Sequence, residues 1–151
     1  MSEIIIQSVT VDEYEQAKNL SDLYSVYADE ASIQGLGTPD PQMDTYRQLE
    51  AAGILHTLIA LKAGKVIGFL SFLLSPLPHY GQVVATTESY FVAPEHRKGG
   101  AGLRLLREAE VKARELGAIG FFVSAPAGGR LAKVMPRSGY RLTNEVFFRE
   151  L

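Results

Sequence analysis

The sequence predicts a single α/β domain, over residues 1–151, built on a mixed β-sheet. Its 151 residues suit one ordinary domain, and no linker or internal repeat divides them. Runs rich in β-branched and aromatic residues alternate with stretches of helical apolar spacing. Their order, β-α-α-β-β-β-α-β-α-β, combines a meander of strands with a strand–helix–strand unit, which is typical of a mixed sheet flanked by helices.

The first part of the chain predicts a strand followed by a long helix. Ile4–Val9 is rich in β-branched residues and favours a strand. Thr10 and Glu13 have the spacing of a capping box, which marks the start of a helix. Apolar residues then recur at helical spacing, so the helix is expected to cover about residues 11–31.

The middle of the chain predicts a second helix and three strands. After the loop 35–41, the second helix begins at Asp40 or Asp44 and ends near Gly53. Three runs of strand length follow: His56–Leu61, Val66–Leu74 and Val83–Val92. The first two flank a short glycine-containing turn and form a predicted β-hairpin, whereas a loop over residues 76–81 precedes the third.

The last third predicts a glycine-rich turn, two helices and two strands. The turn covers residues 93–102, and an apolar stripe predicts a helix over about residues 101–116. Phe121–Val123 is a short predicted strand, and residues 128–137 form a short predicted helix. Glu145–Leu151 is the last predicted strand.

Composition and charge narrow the functional classes. Residues 1–60 contain two basic and ten acidic side chains, whereas residues 61–151 contain 13 basic and seven acidic ones. The positive second half suits an anionic ligand but lacks the concentrated patch of a nucleic-acid-binding domain, so no nucleic acid partner is expected. The absence of cysteine excludes disulfides, thiolate metal sites and a cysteine nucleophile.

Location and metal binding follow from simple counts. No apolar run approaches the ~18–20 residues that span a bilayer, and the first residues lack the basic region of a secretory signal. We therefore expect a cytoplasmic protein that does not associate with membranes. His56, His79 and His96 are too far apart in the sequence for a metal-ligand spacing, so no metal site is expected.

The glycine-rich turn carries the clearest chemical signal. Gly99, Gly100 and Gly102 allow several backbone N–H groups to converge on one point, and the N-terminus of the next helix adds partial positive charge. Arg97 and Lys98 place full charges at the rim. This combination predicts a cradle for a phosphate or pyrophosphate, although it matches neither the P-loop nor the dinucleotide glycine pattern. The alternative is a helix start packed tightly on a sheet, with no ligand.

The stretch Phe91–Leu103 closely resembles the acetyl-CoA loop of the GNAT family of N-acetyltransferases. The family signature is Arg/Gln-x-x-Gly-x-Gly/Ala after a strand that ends in a Val-x-Pro-like turn. Arg97, Gly100 and Gly102 occupy its three fixed positions. The order of elements is also that of the family, and the pair Gly139-Tyr140 is similar to its Gly-Phe turn.

The resemblance implies acetyl-CoA as the cosubstrate and a sheet that splays at its centre. The backbone N–H groups of residues 97–103 would hold the CoA pyrophosphate, and pantetheine would lie between the strand Tyr90–Val92 and its neighbour Phe121–Val123. A backbone N–H near Phe91 or Val92 would polarise the thioester carbonyl. The cofactor-binding residues so implied are Phe91, Val92, Arg97, Lys98, Gly99, Gly100, Ala101, Gly102 and Leu103.

The resemblance also implies direct attack of a primary amine on acetyl-CoA, with Glu88 as the catalytic base. An amine is protonated near neutral pH and needs a base, and many family members place an acidic residue in this part of the strand. Strand parity puts Glu88 on the face of Tyr90 and Val92, unless a β-bulge changes its direction. The tyrosine that often acts as general acid in the family corresponds to Met135, which cannot donate a proton.

Other polar residues lie where the family binds its acceptor amine. They are Tyr24, Tyr27, Asp29, Glu30, His79, Tyr80 and the loop Gly35–Asp40. For the two tyrosines of the first helix an ordinary role in the core or at its rim is favoured, and for His79 and Tyr80 that of an exposed loop pair, whereas Asp29 and Glu30 fit a solvent-exposed helix end equally well. His96 would flank the phosphate, and His56 is interpreted as structural.

We therefore expect an N-acetyltransferase that acts on a small-molecule or peptide amine without a covalent enzyme intermediate. Dimers are frequent in the family, so a homodimer is one possibility. Two alternatives stay open. A non-catalytic acyl-CoA-binding module would bind CoA without transferring the acyl group, whereas a phosphate-binding or interaction protein would not bind CoA.

Overall fold

The computed structural model describes residues 2–151, in which a meander of strands is interrupted by helices. The strands are β1 (Ile4–Val9), β2 (Leu55–Lys62), β3 (Lys65–Leu77), β4 (Gln82–Val92) and β5 (Phe121–Phe122). The helices are α1 (Val11–Glu15), α2 (Leu20–Ala31), α3 (Met43–Ala51), α4 (Ala101–Glu115) and α5 (Arg130–Val134). Two 3-10 helices, Pro94–Gly99 and Met135–Ser138, precede α4 and follow α5.

The five strands form one mixed sheet in the order β1-β2-β3-β4-β5. Strands β1 to β4 are antiparallel neighbours, whereas β5 runs parallel to β4 after the crossover through α4. β5 pairs with β4 only at Ala85–Phe121 and Thr86–Phe122. The rest of β4, up to Val92, has no partner strand on that side among residues 2–151. The predicted mixed sheet with a splayed centre is confirmed.

Each face of the sheet is covered by its own apolar core. α4 packs on one face, where Leu105 and Leu106 are fully buried against β2, β3 and β4. α1 and α2 cover the other face, where Tyr14 packs with Phe69 and Phe91. Full burial of an apolar side chain of this size contributes ~1.5–3 kcal/mol, so the two cores hold both helical layers on the sheet.

A β-bulge in β4 determines the direction of Glu88. The register pairs on either side of the bulge are Ser71–Ser89 and Phe72–Thr87. Glu88 is therefore the extra residue. Tyr90 and Val92 pack in the core beneath α4, whereas Glu88 accepts a hydrogen bond from Tyr46 of α3 on the other face. The bulge turns Glu88 away from the face that simple alternation assigns to it.

The predicted first helix is in fact two helices. The capping box at Thr10 and Glu13 is confirmed by both of its hydrogen bonds, but α1 ends at Glu15. Asn19, whose φ is 62°, starts α2, and its side chain bonds to both backbone groups of Val66 in β3 at 2.8 and 3.2 Å. This long-range anchor breaks the helix although the apolar spacing is continuous.

Other element boundaries also differ from the predictions. The second helix begins at Met43, and β3 continues to Leu77 through part of the predicted loop because it stays paired with β4 there. The helix predicted at 128–137 is the short α5 followed by a 3-10 helix. The predicted last strand, Glu145–Leu151, is wrong. Residues 141–151 have no regular secondary structure, since no strand among residues 2–151 pairs with them.

Candidate active site

The glycine turn joins the end of β4 to the start of α4. Pro94–Gly99 form a 3-10 helix, Gly100 takes the left-handed conformation with φ 81°, and α4 starts at Ala101. Ala101 is fully buried, which fixes the start of the helix on the sheet. The first N–H groups of an α-helix have no acceptor within the helix, so the first turn of α4 presents free donors here.

The space in front of Gly100 is open. Beyond the neighbouring residues, no protein atom lies within 4 Å of the position that a Cβ atom on Gly100 would occupy. At Gly102, a Cβ atom would lie 3.5 Å from Tyr90 Oη and Val92 Cγ2, which is an ordinary contact distance. The start of α4 is thus packed on the sheet at Ala101 and open at Gly100, where a ligand would have room.

Arg97 holds the turn in place through contacts within the protein. Its Nε donates to Val92 O at 2.8 Å, and its two terminal nitrogens donate to the carboxylate of Glu30 in α2 at 3.0 and 2.5 Å. The guanidinium also lies 5.4 Å from the ring centroid of Phe91. Arg97 therefore ties the end of β4 to α2. Of the two cations predicted at the rim, Lys98 is the exposed one.

Tyr90 forms a second tie between β4 and the start of α4. Its hydroxyl donates to Gly102 O at 2.5 Å, and burial raises the pKa of Tyr90 to about 12, so the hydroxyl stays protonated. Leu103, in the same turn, is exposed. The first turn of α4 is thus anchored through the Gly102 carbonyl, which leaves its N–H groups free.

The side chains of Phe91 and Val92 are buried on opposite faces of the sheet. Phe91 packs with the aromatic residues beneath α2, and Val92 packs beneath α4. A ligand along this edge of β4 would therefore meet their backbone groups. Where β5 leaves β4, Ser124 N–H donates to Thr87 Oγ1 at 2.9 Å, which marks the start of the gap between the two strands.

The carboxylate of Glu88 has one oxygen bound and one free. Tyr46 Oη donates to Glu88 Oε1 at 2.6 Å. Glu88 Oε2 is buried and has no hydrogen-bond partner among residues 2–151, and the same is true of the neighbouring Ser89 Oγ. Buried polar atoms are nearly always hydrogen-bonded, so each of these two unpaired atoms calls for a partner such as a water molecule or a ligand.

A group of tyrosines lines this face around Glu88. Tyr14 and Tyr24 share a hydrogen bond of 2.7 Å, and Tyr24 and Tyr27 pack edge to face at 5.9 Å between ring centroids. Burial, together with the negative charge of Glu88, raises the pKa of Tyr14, Tyr24, Tyr27 and Tyr46, that of Tyr24 to about 12. These hydroxyls are protonated at neutral pH, so Tyr46 acts as a donor to Glu88.

The family model described as the acetyltransferase (GNAT) family matches residues 20–133. The matched range contains the glycine turn, Glu88 and the gap between β4 and β5. The chain belongs to the GNAT acetyltransferase family.

Solved structures share the fold of this GNAT protein at low sequence identity. One is a ribosomal-protein-alanine N-acetyltransferase from Brucella melitensis biovar Abortus 2308, with 17% identity, 97% of each chain covered and a TM-score of 0.72. Another is the aminoglycoside antibiotic 6'-N-acetyltransferase AAC(6')-Ih from Acinetobacter baumannii, with 21% identity, 97% of each chain covered and a TM-score of 0.70. A third is the aminoglycoside N-acetyltransferase AAC(6')-Iy in complex with CoA, with 19% identity, 96% of this chain and 97% of that chain covered, and a TM-score of 0.71. No curated protein matches the chain at a significant level.

The other predicted site residues of this GNAT protein are divided between the site and its surroundings. Tyr24 and Tyr27 pack on Phe69 on the same face of the sheet as Glu88, whereas Glu30 is occupied by Arg97. The exposed pair His79-Tyr80 lies elsewhere on the surface. The loop Gly35–Asp40 borders an open pocket at the end of α2. His96 is half-buried in the 3-10 helix before α4.

His56 and Met135 have structural roles. The His56 ring stacks on Phe72 at 5.3 Å and its Nε2 bonds to Gly53 O at 3.0 Å, while burial lowers its pKa, so the ring is neutral at pH 7. Met135 is buried in the core beneath α4. At the position where the family often has a tyrosine, this protein therefore has a packing residue.

Sequence patterns do not predict the contact of Tyr46 with Glu88. The two residues are 42 positions apart, and no local motif links them. A weak signal is the apolar face of α3, which places an aromatic hydroxyl on a helix that must pack on the sheet.

Two findings concern membranes and metals. Across residues 2–151, no helix combines the length and the apolar character needed to cross a bilayer. Over the same range, His, Asp and Glu side chains do not gather in groups of three or more that could bind a metal ion.

Proposed function

We propose that the protein transfers an acetyl group from acetyl-CoA to a primary amine by direct attack. The observation that supports this most strongly is the unpaired Glu88 Oε2, which lies on the strand that leads into the open glycine turn. When bound, acetyl-CoA would supply the activated acetyl thioester. No nucleophilic side chain of the enzyme would be needed.

The glycine turn would bind the pyrophosphate of CoA through backbone N–H groups of residues 97–103. Lys98 would add a positive charge from an exposed side chain. Because the Arg97 guanidinium is already bonded within the protein, it would act by fixing the turn. The unpaired length of β4 would receive the pantetheine arm, and an N–H group near Phe91 or Val92 would polarise the thioester carbonyl.

Glu88 would accept the proton of the attacking ammonium, directly or through a water molecule. Tyr46 already occupies Oε1, so Oε2 is the acceptor left for the amine. Burial raises the pKa of Tyr46, and the hydrogen bond to Oε1 is therefore kept through neutral pH. Tyr46 would thus hold the carboxylate in one orientation.

The acceptor would be a positively charged small-molecule or peptide amine. The region 11–51, which covers the face around Glu88, has nine acidic and two basic residues. One of the two, Arg47, is paired with three acids, Asp12, Glu15 and Asp44, on the same surface. The negative field of these acidic residues favours the approach of a cation. We also expect the reaction to take place in the cytoplasm.

Calorimetric titration with acetyl-CoA tests the cosubstrate. Gly100→Glu should abolish binding because it places a negatively charged side chain in the cradle. Gly117→Glu is the matched control, since Gly117 also has a positive φ, of 95°, and open space at its Cβ position, but lies at the other end of α4. Failure of the wild type to bind would overturn the proposal.

Release of free thiol with a panel of amines tests the transfer. We expect release with cationic amines, and release slowed by about 10²-fold or more after Glu88→Gln. Binding of acetyl-CoA without thiol release from any amine would instead favour the non-catalytic acyl-CoA-binding module, the alternative that Met135 suggests.

A further inference from the structure

Helix α3, which carries Tyr46, is held on the protein largely by polar contacts. None of its nine residues, Met43–Ala51, is fully buried, and Met43 packs at the edge of the apolar core. The residue before it, Gln42, makes no side-chain hydrogen bond that would cap the helix. A helix of this length is marginal in water on its own, so the position of α3 depends on the contacts of its polar side chains.

Arg47 connects α3 to α1 through its guanidinium group. Its Nε donates to Asp12 Oδ1 at 2.8 Å and one terminal nitrogen donates to Glu15 Oε2 at 2.6 Å, and both acids belong to α1. The other terminal nitrogen donates to Asp44 Oδ1 of α3 at 2.9 Å. Single surface pairs contribute little, but three carboxylates on one planar group form a network that fixes its orientation as well as its position.

Helix α1 is a firm support for this contact. Val11 and Tyr14 are buried in the core, and the capping box closes the first turn of the helix. A second tie lies one turn along α3 from Arg47, where Glu50 Oε2 accepts a hydrogen bond from the Val11 N–H group at 2.8 Å. Two ties to the same support, one turn apart, restrict rotation of α3 about its own axis.

The residue before Arg47 is the one that binds Glu88. Consecutive side chains of an α-helix point roughly 100° apart, so α3 directs Arg47 to α1 and Tyr46 to β4 at the same time. Tyr46 Oη donates to Glu88 Oε1 at 2.6 Å. A hydrogen bond of this kind weakens beyond about 3.0 Å, so a displacement of the hydroxyl by about 1 Å would break it.

We infer that Arg47 is a positioning residue. By fixing α3 on α1, it holds the Tyr46 hydroxyl on Glu88 Oε1 and so sets the direction of the unpaired Oε2. The importance of this arrangement for acetyl transfer rests on the proposed function. The hold of Arg47 on Tyr46 is a property of the fold, and it can be measured without catalysis.

The first test observes the Tyr46 hydroxyl by NMR. Tyrosine labelled with ¹³C at Cζ, the carbon bonded to the hydroxyl, gives one signal for each of the seven tyrosines. The signal that is missing in Tyr46→Phe belongs to Tyr46. In Arg47→Gln this signal should move toward its position in Glu88→Ala, which lacks the acceptor oxygen. A Tyr46 signal that stays in its wild-type position in Arg47→Gln would overturn the inference.

Two variants of the partner acids serve as control and as confirmation. Asp44→Asn removes the partner within α3, which is 95% exposed, and leaves both bonds to α1, so the Tyr46 signal should not move. Asp12→Asn/Glu15→Gln removes the two partners in α1 and should move the signal as Arg47→Gln does. If this double variant leaves the signal in place, the tie to α1 is not what holds Tyr46 and the inference fails.

Turnover then tests the consequence for acetyl transfer. Arg47→Gln should keep the affinity for acetyl-CoA and lower kcat by about 10- to 10²-fold, because Glu88 loses its fixed direction. Since Arg47 acts through Tyr46, Arg47→Gln/Tyr46→Phe should have the kcat of Tyr46→Phe alone, whereas two independent losses would multiply and contradict the inference. Absence of thiol release from the wild type would instead refute the proposed function, and the NMR signal of Tyr46 would still decide the role of Arg47.

Discussion

Arg97 occupies a fixed position of the acetyl-CoA signature, yet its side chain bonds to other residues of the protein. We therefore expect it to stabilise the fold rather than to contact the cosubstrate. Arg97→Ala should lower the stability of the fold more than a surface substitution does. Its hydrogen bond to Val92 O, made by a charged donor, contributes about 1.5–3 kcal/mol. The pair with Glu30 adds about 0.2–1 kcal/mol, because Arg97 is 21% and Glu30 42% exposed. The contact with the Phe91 ring adds about 0.5–1 kcal/mol.

The expected total loss for Arg97→Ala is therefore about 3 kcal/mol. For a chain of this length, such a loss lowers Tm by roughly 6–12 °C. Glu30→Ala should cost about 1 kcal/mol or less, and the double variant should unfold almost as Arg97→Ala does, because both remove the same pair. Urea unfolding followed by circular dichroism measures all four proteins.

Lys98→Ala is the matched control for cosubstrate binding. It removes an adjacent, exposed cation, so it should weaken binding of acetyl-CoA while leaving Tm unchanged. The reasoning on Arg97 fails if Arg97→Ala keeps the wild-type Tm and loses as much affinity for acetyl-CoA as Lys98→Ala, since its guanidinium would then contact the cosubstrate rather than the protein.

Three further changes test the acceptor face. Glu88→Gln should keep the affinity for acetyl-CoA and lower kcat near neutral pH by about 10²-fold or more, and equal turnover at every pH would exclude Glu88 as the base. Tyr46→Phe should lower kcat and keep the affinity for acetyl-CoA, because the carboxylate loses the donor that orients it, whereas Tyr27→Phe should leave kcat unchanged; an equal kcat for Tyr46→Phe and the wild type would refute the orienting role. Burial raises the pKa of Tyr24 from 10.0 to about 12, so the associated stability is present below pH 10 and is lost as the pH rises through 12. In Tyr24→Phe, the free energy of unfolding should therefore decrease less steeply as the pH rises from 10 to 12. The same steepness as in the wild type would contradict burial as the cause of the raised pKa.

The sequence predicts those parts of the fold that depend on short-range patterns. The capping box at Thr10, the hairpin of β2 and β3 and the glycine turn before α4 each have local signals, and each is present. The break between α1 and α2 is not predicted, because it depends on Asn19 bonding to β3 47 residues away. The last predicted strand is absent for a related reason, since strand propensity in residues 145–151 has no effect without a partner edge.

In the candidate site, too, the features with local sequence signals are predicted and those that depend on long-range contacts are not. The glycine turn, the proposed anion cradle, lies in one contiguous segment, so composition and spacing are enough to predict it. The roles of Arg97 and Tyr46 depend on Glu30 and Glu88, which are 67 and 42 residues distant, and no pattern in a single sequence connects such pairs. Sequence alone therefore predicts that Arg97 carries a positive charge in this turn, but not that its guanidinium bonds to Val92 and Glu30.

The bulge at Glu88 links the register of the sheet to its chemistry. In a regular strand, Glu88 would share the face of Tyr90 and Val92 and enter the apolar core beneath α4, where an unpaired carboxylate costs several kcal/mol of desolvation. One extra residue in β4 turns it instead toward Tyr46 and the acidic helical layer, while the strand beyond the bulge keeps its register with β3 as far as Val92. β4 can therefore present a carboxylate to one face and still run into the glycine turn at its end. A cation approaching from the acidic half and an anion held by the basic half would then meet along a single strand.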